Sequence, residues 1–118
     1  MAPLFLLPET VVHSNGAAPA IEIEGDWRTA QLTLGITSIV EQESLDLVLE
    51  GSTDGVTWMA APLAAFPQKF YVGTTALLFE LPAELPVRFL RVRWTVNRWG
   101  RGSLEPHFGL YVVLEPIA

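Results

Sequence analysis

The chain has 118 residues, no cysteine and a formal net charge of −6. Its length suits one domain that buries about two-thirds of the surface its unfolded form exposes. The absence of cysteine excludes thiol catalysis, disulfides and cysteine-based zinc sites, and the acidic balance argues against non-specific attraction of the whole molecule to nucleic acid or to an anionic membrane.

In chain order, residues 1–19 hold two short apolar pieces, Leu4–Leu7 and Thr10–His13, cut by Pro8 and closed by Ser14-Asn15-Gly16. They predict an N-terminal arm or an edge strand, because proline removes a ladder donor and is tolerated at sheet edges. No basic residue precedes the apolar piece and prolines confine it, so no signal peptide is expected; the chain is expected in the cytoplasm or within a particle assembled there. No apolar run approaches the ~20 residues that span a bilayer.

Residues 20–118 are expected to form a single domain. Ala20–Glu24 alternates, with Ile21 and Ile23 inward and Glu22 and Glu24 outward, before Gly25-Asp26 breaks it. Thr29–Thr37 places Leu32, Leu34 and Ile36 on one face. After a polar link at Glu41–Ser44, Leu45, Leu47 and Leu49 alternate with Asp46, Val48 and Glu50. Asp54-Gly55 marks a hairpin turn, and Thr57–Ala60 is expected to return from it and carry Trp58 into the core. Ala61–Gln68 reads as a connection, Lys69–Val72 and Leu77–Leu81 as strands, and Pro82–Pro86 as a loop.

Val87–Val96 is the most sharply alternating stretch. Leu90, Val92, Trp94 and Val96 share one parity, and Arg91, Arg93 and Thr95 the other. Five of the seven Lys+Arg residues of the chain lie between Arg88 and Arg101. Phe108–Glu115 closes the domain with Phe108, Leu110, Val112 and Leu114 on one face. Short strands, turn signals every ten residues or so and no helical periodicity predict an all-β fold, an antiparallel β-sandwich of about eight or nine strands.

The segment LDLVLEGSTDGVTW, Leu45–Trp58, resembles the strand–turn–strand of discoidin-like and jelly-roll β-sandwich modules. Phe66–Gln68, Gly73-Thr74 and the R-F-L-R-V-R-W run at Arg88–Trp94 extend the likeness. In overall order the chain is also similar to small β-sandwich proteins of tailed-phage and prophage particles. Both resemblances imply a jelly-roll-like sandwich. The first implies sugar or lipid binding through end loops, although no matching loop set stands here; the second implies a structural particle component.

No Gly-x-Ser-x-Gly elbow, phosphate loop or dinucleotide fingerprint is present. Glu22, Glu24 and Asp26 are too few oxygens for calcium and read as a solvated face. His13 and His107 have no ligand companion at metal spacing. No enzyme, cofactor or metal site is therefore expected.

The candidate contact residues are Arg98, Trp99 and Arg101 at the turn, with Trp94, Arg91 and Arg93 leading to it. Trp and Arg are enriched at interface hot spots, so a protein contact is one reading. A loop held by cation–π packing of Arg98 or Arg101 on Trp99 is a second, and a stacked saccharide a third. Arg91 and Arg93 can equally be cross-strand partners of Glu50 or Glu115. A mean hydropathy of +0.34 with 50% apolar residues is high for a small monomer. It reflects either a two-layer core or apolar surface covered by a copy of the same chain. The expected function is a non-catalytic structural or binding module that forms a homo-oligomer or larger assembly, with arginines meeting acidic surface on a neighbour. The alternative is a carbohydrate-binding module using Trp99, Trp94 and Trp58.

Overall fold

The computed structural model describes residues 3–40, 43–82, 86–98 and 105–117. They form two packed antiparallel sheets built from nine strands. These are β1 (Leu4–Val12), β2 (Gly16–Ala17), β3 (Ile21–Glu22), β4 (Thr29–Ile39), β5 (Glu43–Ser52), β6 (Ala64–Ala65), β7 (Gly73–Glu80), β8 (Phe89–Arg98) and β9 (Phe108–Ile117). The first sheet has the order β1-β9-β4-β7 and the second β2-β8-β5-β6, with β3 also paired to β8.

β2 and β3 are one interrupted strand. Ala17 pairs with Arg93 and Ile21 with Leu90, both on the same edge of β8. Pro19 stands between them and has no N–H to give the ladder. Counted that way there are eight strands, paired first with last, second with seventh, third with sixth and fourth with fifth. This is the wrapped-hairpin order of a jelly roll.

The alternation seen in the sequence sets the layers. Leu32 lies opposite Leu114, Leu34 opposite Val112 and Ile36 opposite Leu110. In the facing sheet Leu45 lies opposite Val96 and Leu49 opposite Val92. All of these are buried, and Phe108 is fully so. At the N-terminus β1 pairs with β9 at the end of the first sheet, across a bulge around Pro8, where a proline is tolerated.

Four local expectations are corrected. Thr57–Ala60 does not form a returning strand; Trp58 makes only an isolated bridge to Ser52 and is half-buried rather than in the core. Lys69–Val72 is not a strand: Lys69 bridges Leu45, and Phe70, Tyr71 and Val72 are exposed. The strand expected at Leu77–Leu81 instead spans Gly73–Glu80. The connection Ala61–Gln68 contains β6, which pairs with β5 at Val48 and Leu49.

The Asp54-Gly55 turn is built as its residues require. Gly55 has a φ of 80°, a left-handed value that glycine adopts without strain. Asp54 accepts from the N–H groups of Thr57 and Val56, each at 2.8 Å, and from Ser52 Oγ at 3.0 Å. Those bonds, Thr57 first, then Val56 and Ser52, hold its carboxyl below the usual aspartate range. The stability this carboxylate adds is therefore complete above the ordinary aspartate value and is lost as pH falls through its lower value in the fold. Asp54→Ala should be less stable than the native chain in urea at neutral pH, with the gap closing in strong acid. A gap that is constant with pH would contradict this account of the turn.

Candidate interaction surfaces

The outer face of the second sheet carries the arginine ribbon. Glu50 lies directly opposite Arg91 across β5 and β8. Arg91 Nε donates to Glu50 Oε1 at 2.8 Å and Arg93 Nε to Glu50 Oε2 at 3.1 Å, so one largely buried carboxylate receives both. The Arg91 guanidinium also sits 4.2 Å from the centroid of the Trp58 ring, a cation–π distance. Of the two cross-strand partners considered, Glu50 is the one found. Gln68 Nε2 donates to Asp46 Oδ2 at 3.0 Å on the same face.

Trp94 has the inward parity of its strand but is half-buried, between Gly16 of β2 and Leu47 of β5. Its Nε1 donates to Ser14 O at 2.9 Å, which ties the start of the β2 edge to β8. Arg98 ends β8, half-buried and opposite Glu43 in register. Trp99 and Arg101 lie outside the described residues. Trp27, which no pattern in the sequence singled out, is a core residue, its ring edge-on to Phe79 at 6.2 Å. Three of the four tryptophans are thus engaged within the fold.

Glu22, Glu24 and Asp26 are exposed. The first two stand at a cleft of about 450 Å³ between the sheets, whose walls include Ile21, Ile23, Trp27, Leu90 and Leu114. His13 and His107, distant in sequence, are brought together with ring centroids 5.5 Å apart. His13 Nδ1 is 2.9 Å from Pro106 O, and Ser38 Oγ is 3.1 Å from His107 Nε2. A serine–histidine pair needs a third group to orient the ring for nucleophilic catalysis, and among the described residues no carboxylate is bonded to the other ring nitrogen. Nor do three or more His, Asp or Glu side chains converge as metal ligands among the described residues.

The outer face of the first sheet is chemically unlike that of the second. Phe5, Val11, Leu78 and Ile117 are exposed on it. Phe5, Val113, Thr33 and Ala76 form one row across the four strands. Tyr111 lies over Gly35, where a Cβ would overlap its ring, and meets Phe5 edge-on at 6.4 Å. The charged strand residues with this outward parity are Glu9, Glu80 and Glu115, all acidic and all on edge strands or near strand ends. Between Phe5, Pro8, Glu9 and Tyr111 is a shallow hollow of about 280 Å³. Sequence parity did not mark this face, because an outward Leu78 or Phe5 reads like any other strand residue until the pairing is known.

No protein-family model matches the chain, and no curated protein matches it. Among solved structures it is similar to a chain in the structure of infectious bursal disease virus, Gx strain, with a TM-score of 0.58 and 9% identity. The match covers 98% of this chain and 32% of that one, so the present chain spans about a third of that neighbour's length. At such identity the likeness is one of fold.

Proposed function

We propose that the chain is a non-catalytic structural β-sandwich module that works by assembling with copies of itself, as a component of a viral or phage-related particle put together in the cytoplasm. The observation that carries this reading is the exposed apolar surface: Phe5, Val11, Leu78 and Ile117 on one sheet face, and the consecutive Phe70, Tyr71 and Val72 just before β7 in sequence. Large apolar side chains left exposed on a small protein support an interaction surface. The viral origin of the fold neighbour supports the same reading, as does the phage-particle likeness of the sequence.

The contact once assigned to the arginine ribbon changes character. Arg91 and Arg93 already share Glu50, so recruiting them to a neighbour would break bonds within the fold. Arg98, Trp99 and Arg101 keep the place in the proposed contact that their residue types give them. The saccharide alternative is left to Trp99, since Trp27, Trp58 and Trp94 are engaged internally. A Trp99→Ala, Arg101→Ala chain should sediment at lower mass than the native chain at the same concentration. Unchanged mass together with a saccharide-dependent tryptophan signal that Trp99→Ala abolishes would favour the saccharide reading instead.

A further inference from the structure

Resting on the self-assembly reading, we propose that one contact between copies is strand addition at the free edge of β7. There β7 pairs antiparallel with β7 of a second copy about a two-fold axis at Leu77, and the two first sheets join into one. The sheet edges of this fold are not alike. β1 holds Pro8 and two register irregularities, β6 is two residues long, and Pro19 interrupts the β2–β3 edge. Prolines, bulges and short strands are what keep an edge from pairing with another chain. β7 has none of them. It runs from Gly73 to Glu80, follows β4 without a register shift, and carries no charge except Glu80 at its end.

The register tells which groups of β7 are open. Leu81 N donates to Arg28 O at 2.8 Å, one step beyond the Thr29–Glu80 pair. Bonded and non-bonded pairs alternate along an antiparallel ladder, so Thr75, Leu77 and Phe79 bond to β4. The N–H and C=O groups of Thr74, Ala76, Leu78 and Glu80 therefore point to the free edge, and among the described residues no strand pairs with it. One self-pairing uses all of these groups: Thr74 opposite Glu80 of the second copy, Ala76 opposite its Leu78, and the reverse of each, as an isologous contact requires. A slip of two residues either way brings in Pro82, which has no N–H, or Val72, which lies outside the strand. The side chains suit the same register. Leu78, 64% exposed, lies beside Ala76 of the second copy, and Leu77, at the margin of the core, meets its own counterpart. The two Glu80 carboxylates stand at opposite ends of the ribbon, roughly 20 Å apart, each opposite a threonine. A contact made by one strand is smaller than a standard interface, so association in the micromolar range is expected.

The absence of native cysteine makes a direct test available. At the axis the two Leu77 Cα atoms form a non-bonded pair about 4.5 Å apart, within disulfide reach. The two Thr75 positions are offset by about 13 Å along the strands and are out of reach. Leu77→Cys oxidised with diamide should give a cross-linked dimer on a non-reducing gel, and Thr75→Cys far less. Ala76→Pro removes an N–H that β4 does not use, so it should keep the native circular dichroism spectrum and weaken association at least tenfold; Leu78→Lys should also weaken it. If the native chain self-associates but Leu77→Cys gives no more dimer than Thr75→Cys, or both folded edge variants associate as the native chain does, this edge is not a contact and the assembly reading stands. If the native chain stays monomeric at every concentration, both fall, and the edge is left to a strand of a different protein.

Discussion

Glu43→Ala should lower the thermal midpoint by on the order of 10 °C, for a loss of about 2–4 kcal/mol. Glu43 is only 1% exposed and both its oxygens are occupied. Oε2 accepts from Val40 N at 3.0 Å and Oε1 from His107 N at 2.6 Å. The side chain rises from β5 in the second sheet, while its donors lie just beyond β4 and just before β9 in the first. One carboxylate thus fastens two sheets at the same end of the sandwich. Alanine leaves both N–H groups without that acceptor and a void where the side chain was. Glu43→Gln keeps one good acceptor but turns an amide N–H₂ toward the other donor, so an intermediate loss is expected. Urea and thermal unfolding followed by circular dichroism measure both; a shift below about 2 °C for Glu43→Ala would show that the staple carries little.

Phe108→Ala is expected to cost more, about 3–5 kcal/mol. Its ring is completely buried. It stands where β9 enters the first sheet, opposite Val12 of β1 and Ile39 of β4, so the cavity opens between three strands that backbone pairing holds in place. Phe108→Leu should recover much of the loss by keeping apolar volume. By contrast Phe70→Ser, at a ring 56% exposed, should leave the unfolding midpoint nearly unchanged. If Phe108→Ala and Phe70→Ser unfold alike, the inward face of β9 has been misplaced.

The fold was largely legible in the sequence because an antiparallel sandwich writes its layers as period-two alternation. Leu32–Leu34–Ile36, Leu45–Leu47–Leu49 and Phe108–Leu114 face inward as their parity requires. What was hidden depends on which strands meet. Trp58 follows a hairpin signal, yet it ends on the outer face beneath Arg91, since the chain makes a single bridge there and not a strand. Glu43 sits in what reads as a polar link, and only the convergence of two distant backbone segments makes it a buried acceptor. The Arg91 and Arg93 pairing with Glu50 was one of two possibilities until the β5–β8 register chose it. Phe5 and Tyr111, far apart in sequence, meet edge-on only because β1 pairs with β9.

Light scattering of the native chain after size exclusion, run from low to high micromolar concentration, should give a mass that is a multiple of 13.0 kDa, with the larger species favoured by concentration. A single species at 13.0 kDa across that whole range would contradict self-assembly.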